Sequence, residues 1–289
     1  MISDIILVII SLITLIIATL SDLKTREVPD FLSYFLIFSS LGIRLISSIY
    51  TKQISYFIYG FIGFAVMFIV GNLMYRLSQW GGGDSKLLMG LGAAFATKPS
   101  YTPNSFFPFL FIIFFNILIV GAVYGLLYGF CLAVKNSKKF INNFKKLNRE
   151  YYYKKLKILS FILTIIFLLV TYFTFEDIKF FKMTSVLSLF ILLMPYLLIS
   201  ARSIENSSLY KKIPLSKLRE GDWVNQNIKV KNKIIYTKNP AGISKDQINL
   251  FKKFKLKYVI VKEGIPFVPP FLLGVLYSLV FGRIIFILF

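Results

Sequence analysis

Thirteen of the 289 residues are acidic, and two of these stand where a carboxylate is costly. Asp22 follows the apolar run Ile2 to Leu20, and Asp84 precedes a second run that opens at Leu87. Ionisable groups at the ends of apolar membrane segments point to function. Two carboxylates a few Å apart cannot both ionise, so such a pair holds one proton between them. The ionised member can then take a proton from water, while the protonated member donates a hydrogen bond to the carbonyl under attack. The alternative for either acid alone is a helix cap at headgroup level, which for Asp84 means an N-cap.

Composition removes the other hydrolytic chemistries. The chain has no histidine, so it can hold no HExxH zinc site, no Ser-His-Asp triad and no Cys-His pair. A single cysteine, Cys131, leaves no internal disulfide and no Cys-x-x-Cys metal site. Lying on an apolar run, it reads as a small buried hydrophobe. No metal and no organic cofactor is expected. Asp84 follows Trp80-Gly81-Gly82-Gly83. Such glycines can take φ > 0 and let another chain approach without a Cβ clash, as a peptide to be cut requires. Trp80 reads as an interfacial anchor.

These residues need a membrane scaffold. The chain is 56% hydrophobic and 16% charged, with a net charge of +21. A globular domain has about a quarter charged residues, so a soluble enzyme, a disordered chain and a nucleic-acid-binding domain are excluded. Spanning helices need about 20 apolar residues. Runs of that kind lie at 2–20, 31–50, 54–77, 106–134, 158–175, 184–201 and 265–289, and a shorter one at 87–96. The loop 135–157 has nine Lys/Arg against one Glu, and 202–264 has fifteen against five acids, so both are expected inside. Taking 87–96 as a crossing puts 28 of the 34 basic residues on the cytoplasmic side and the N-terminus outside. Arg44 and Arg283 fall near outer span ends.

The expected fold is an all-α polytopic membrane protein of about eight transmembrane helices with a small cytoplasmic α+β appendage. Its parts are a catalytic membrane domain (1–135), a basic cytoplasmic loop (136–157), two further helices (158–201), the basic appendage (202–264) and a last helix (265–289). In the appendage, Ile228 and Val230, Ile234 to Tyr236 and Lys257 to Lys262 read as strands. Ser244 to Gln247 has capping-box form and opens a helix through Phe254. The loop 135–157 reads as a surface helix on anionic lipid. Topology and lipid account for its lysines and those of the appendage, so no nucleic-acid partner is expected.

Asp22-Leu-Lys24-Thr-Arg26-Glu-Val28-Pro29-Asp30 resembles the first catalytic motif of the archaeal preflagellin and type IV prepilin peptidases, membrane aspartic peptidases of the GxGD type. There an Asp is followed by basic residues and a Val/Ile-Pro-Asn-like ending. Gly81-Gly82-Gly83-Asp84-Ser-Lys86 resembles the second motif, Gly-x-Gly-Asp with a trailing Lys. Order, a spacing of about sixty residues and cytoplasmic placement agree. The resemblance covers residues 1–100 and extends to Gly264-Ile-Pro266-Phe-Val-Pro269-Pro270.

The resemblance implies that Asp22 and Asp84 are the catalytic pair, with Lys24, Arg26, Pro29, Gly81, Gly82, Gly83 and Lys86 in support. It also implies a cell-membrane enzyme that cuts short basic leaders from pilin-like or archaellin precursors at the cytoplasmic face. The chain departs from the family in having Asp30 for the usual Asn, eight expected spans for the usual six, and no cysteine-zinc region.

Lys24, Arg26 and Lys86 also read as positive-inside anchors, and Lys86 or Arg26 as a charge lowering a neighbouring Asp pKa. Glu27 and Asp30 read as solvated loop acids or as contacts for a basic leader. Two other functions compete. A presenilin- or signal-peptide-peptidase-like protease also uses Gly-x-Gly-Asp, but its other Asp sits in the preceding span and it carries a downstream Pro-Ala-Leu, whereas Pro240-Ala241 continues into Gly242. A cation- or proton-coupled transporter would place its acids near the bilayer midplane, not at span ends.

Overall fold

The computed structural model describes residues 2–77, 79–102, 107–174, 178–230, 233–237, 242–254 and 256–282. Arg283, the end of the expected last span and Pro240-Ala241 lie outside these. The chain forms two compact units: Met1–Leu126 with Thr237–Ser244 and Gly264–Phe289, and Leu127–Tyr236 with Lys245–Glu263.

The first unit contains α1 (Ile2–Thr25), α2 (Asp30–Thr51), α3 (Ser55–Arg76), the short α4 (Gly82–Ala94) and α5 (Phe109–Lys135) up to Leu126. Among the described residues six helices are long and apolar enough to cross a membrane, and α1, α2, α3 and α5 are four of them. That marks a multi-pass membrane protein. At thirteen residues, α4 rises only about 20 Å, short of the ~30 Å hydrocarbon core. It is buried on every side from Leu87 to Ala94, as expected of a helix that is apolar all round.

Lipid tails are as apolar as leucine, so close packing rather than the hydrophobic effect holds such helices together. Gly60, Gly63, Met67 and Gly71 form the buried face of α3, at spacings that keep them in line. Gly63 and Gly92 bring the α3 and α4 backbones together, and a Cβ on Gly90 would stand 2.8 Å from the Leu36 side chain of α2.

Arg44 is fully buried in the last third of α2. Its guanidinium donates to Ala93 O (2.7 Å), Ala94 O (2.9 Å), Thr97 Oγ1 (3.0 Å) and Tyr56 O (3.1 Å), so it binds the open carbonyls at the C-terminal end of α4. It also stacks 4.4 Å over the Tyr56 ring, whose hydroxyl donates to Asp4 Oδ1 at 2.7 Å.

The unit is completed by α10 (Val268–Val280). This helix lies along α1 and is tied to α5 by Asn116, which donates to Ser278 Oγ at 2.8 Å. Trp80 is buried, not interfacial: it meets Phe271, Phe267 and Phe114 at ring-centroid distances of 5.3, 5.9 and 6.3 Å.

In the second unit, α6 (Ser137–Arg149) has no buried residue and one apolar stripe. The paired α7 (Tyr151–Thr174) and α8 (Ile178–Ile204) follow. Cys131, at the end of α5, is exposed rather than buried. A π-turn over Glu205–Leu209 leads to β1 (Tyr210–Pro214), β2 (Trp223–Val224), β3 (Ile228–Val230), β4 (Lys233–Tyr236), α9 (Lys245–Lys253) and β5 (Tyr258–Lys262). Antiparallel β1-β5-β2 form one sheet and β3-β4 a hairpin. Val259 and Val261 point inward while Tyr258 and Ile260 are exposed, a period-two pattern. Glu205 ties the end of α8 to the sheet, accepting from Arg202 (2.7 Å), Tyr210 (2.7 Å) and Lys262 (2.8 Å).

Candidate active site

Asp22 lies in the last turn of α1 and is 5% exposed. Its Oδ2 accepts the backbone N–H of Val268 at 2.9 Å. Val268 opens α10 and is followed by Pro269 and Pro270, which have no N–H. It and the N-cap Phe267 therefore carry the free N–H donors at that helix mouth, where the partial positive charge of the helix end also favours a carboxylate.

Just beyond Asp22, α1 ends at Arg26, whose φ of 61° is left-handed and whose N–H bonds back to Asp22 O at 2.9 Å. The guanidinium of Arg26 donates to the carbonyl of Gly264. The end of α1 thus grips the Gly264–Val268 segment at both ends. Pro29, at φ −59°, is the N-cap residue just ahead of α2. Lys24 is exposed.

Asp84 sits in the first turn of α4 rather than ahead of it, because the helix already begins at Gly82. Its Oδ2 accepts the Gly81 N–H at 3.0 Å, the reach-back bond of a carboxylate at the third helical position. Asp84 precedes the apolar part of α4 and lies outside the six long helices. Burial, and then the charge of the nearby Asp22, push its carboxyl up to about 7 against the opposing pull of the Gly81 N–H. Asp22 and Asp84, 62 positions apart in sequence, are therefore brought to one locus by the meeting of the α1 end and the α4 start.

The glycines act differently from the expectation. None of Gly81, Gly82 and Gly83 takes a positive φ. Gly83 is the one that space requires, since a Cβ there would stand 2.7 Å from Val28 Cβ. Gly82 has room, with the Tyr75 ring 3.8 Å away. The close approach of Gly83 to Val28 seats the α4 start against the α1–α2 connection.

Lys86 pairs with Asp30 at 2.7 Å and lies 5.4 Å from the centre of the Tyr34 ring. The residue that stands for the family's usual Asn thus supplies the partner of the motif lysine. The pair is solvent-accessible, at 30% and 62% exposure, so it contributes at most about 1 kcal/mol.

Two contributors escaped the sequence reading. Val268 is revealed only by the fold, although the following Pro-Pro marks where a helix could open. Arg44 was visible as a lone charge within an apolar run, itself a signal of function or of a buried polar network.

Residues 9–132 match the profile of the Type IV leader peptidase family. The chain is 35% identical over 115 residues to the preflagellin peptidase of Methanocaldococcus jannaschii, covering 39% of this chain and 49% of that protein. It is 41% identical over 85 residues to that of Methanococcus maripaludis (29% and 36% of the two chains). With that of Methanococcus voltae it shares 30% over 141 residues (45% and 60%). The chain thus spans less than two-thirds of the length of the curated relatives it matches. Both acid motifs fall inside the stretch that matches this profile.

Proposed function

We propose that this chain is a membrane aspartic endopeptidase that removes short basic leaders from pilin-like or archaellin precursors, with Asp22 and Asp84 as its catalytic pair. The observation that carries the proposal is the meeting of the α1 end, which holds Asp22, with α4, whose first turn holds Asp84, each carboxylate being anchored by a backbone N–H. Of the two acids, the ionised one takes a proton from water as its oxygen attacks the scissile carbonyl carbon. The protonated one donates to the carbonyl oxygen. When the C–N bond breaks, the departing amine takes up a proton and the shared proton is restored. The pair titrates as a unit.

The backbone donors of Val268 and Gly81 hold the two carboxylates in place, as preorganised catalysis requires. The excess of Lys/Arg in 135–157 and 202–264 supports a cell-membrane location with the site on the cytoplasmic face, the N-terminus outside and α6 against anionic lipid.

The test incubates membranes containing the chain with a pilin-like or archaellin-like precursor, followed by N-terminal sequencing of the product. A shortened product cut between leader and hydrophobic segment is expected. An intact precursor would overturn the proposal.

A further inference from the structure

A cavity of about 590 Å3 opens in the first unit, walled mainly by Met74, Trp80, Leu118, Gly121, Ala122 and Phe267. Binding clefts run from about 300 to 1,000 Å3, so it has room for a large side chain. Two of its walls adjoin the acids' own anchors. Trp80 directly precedes Gly81, whose N–H binds Asp84, and Phe267 directly precedes Val268, whose N–H binds Asp22. These walls are fixed, because Trp80 packs on Phe114, Phe267 and Phe271. On the α5 side the width is set by small residues: a Cβ on Gly121 would stand 2.6 Å from the Phe267 ring.

We propose that this cavity is a specificity subsite for an apolar side chain of the precursor, on the hydrophobic side of the scissile bond. The inference rests on the peptidase reading above. A bond held between Asp22 and Asp84 places its neighbouring side chain within one residue of each acid's anchor, which is where Trp80 and Phe267 stand. The wall carries no carboxylate and only one polar side chain, Gln79, so a lysine or arginine of the basic leader would give up hydration there with no opposite charge to offset it. A large apolar side chain gains what the charged one loses. The basic leader is therefore directed to the other side of the acids.

The test uses the full chain in membranes and a precursor series with Ala, Leu or Phe at the first position after the cut, reading kcat/KM. The wild type is expected to favour Phe over Ala at least tenfold. Ala122→Phe, or the milder Ala122→Leu, should lower the Phe:Ala ratio at least tenfold by filling the cavity. Leu118→Ala should raise it threefold or more. A wild-type ratio near one, or variants that scale every peptide by one common factor, would overturn the subsite while leaving the peptidase reading intact. Absence of cleavage of any peptide by the wild type would overturn both.

Discussion

The Asp22 carboxylate accepts the Val268 N–H at 2.9 Å across 246 residues of chain. The bond closes the two ends of the first unit on each other and fixes one acid at the mouth of α10. Asp22→Ala leaves that buried N–H without an acceptor, at a cost of about 1–3 kcal/mol. Asp22→Asn keeps an oxygen in place and should cost less. Thermal unfolding in detergent should therefore rank wild type above Asp22→Asn above Asp22→Ala. Equal melting of the two variants would contradict this anchoring role.

Asp84, pushed up to about 7 by burial and by the Asp22 charge, makes the account pH-dependent. Below that value the pair holds the proton that catalysis needs, and above it the proton is lost. Cleavage at low substrate should fall on the alkaline side with an apparent pKa near 7, and a flat profile through pH 8.5 would contradict this. Stability follows the same sign. The folded pKa lies above the unfolded value of about 4, so the native state binds the proton more tightly. That contribution is full below about pH 4 and is lost as pH rises through about 7.

Gly83 and Gly82 should behave differently. A Cβ at 83 would collide with Val28 at 2.7 Å, whereas one at 82 meets nothing closer than 3.8 Å. Gly83→Ala should cost about 1–3 kcal/mol by overpacking and lower kcat/KM at least tenfold, because it pushes the α4 start from the α1–α2 connection. Gly82→Ala should stay within about 0.5 kcal/mol of wild type. Thermal melts of the pair decide this, and equal losses would sink the argument.

Arg44 predicts a loss that lysine does not restore. Its planar fork serves four acceptors at once, a geometry an ammonium cannot copy. Arg44→Ala and Arg44→Lys should each cost about 2–5 kcal/mol, since the last carbonyls of α4 lose their donors. Gly60→Ala should also destabilise, because its Cβ would occupy the space of the Arg44 side chain. Wild-type melting of Arg44→Lys would show that the charge alone matters.

Much of this was legible in the sequence, and the gaps have physical causes. Long apolar runs gave the long helices because length and composition are local properties. Alternation exposed β3 to β5, but β1 (Tyr-Lys-Lys-Ile-Pro) hides its pattern in lysines and exists through pairing with β5. Asp84 was expected before its helix, yet α4 opens two residues earlier, at Gly82, with Gly83 fitted against Val28. Trp80 read as interfacial because the three phenylalanines that enclose it come from α5, α10 and the residue before α10. Both acids were visible from type and position. What anchors Asp22 was not, since no local pattern links residues so far apart.

The central claim is that Asp22 and Asp84 act as one catalytic pair. Its most direct test is cleavage of a pilin-like or archaellin-like precursor by purified Asp22→Asn, Asp84→Asn and the double variant, at equal amounts of inserted protein. Each single variant should lose at least a thousandfold in kcat/KM, and the double variant should lose little more, because residues acting as a unit are not additive. Wild-type cleavage by either single variant would contradict the account.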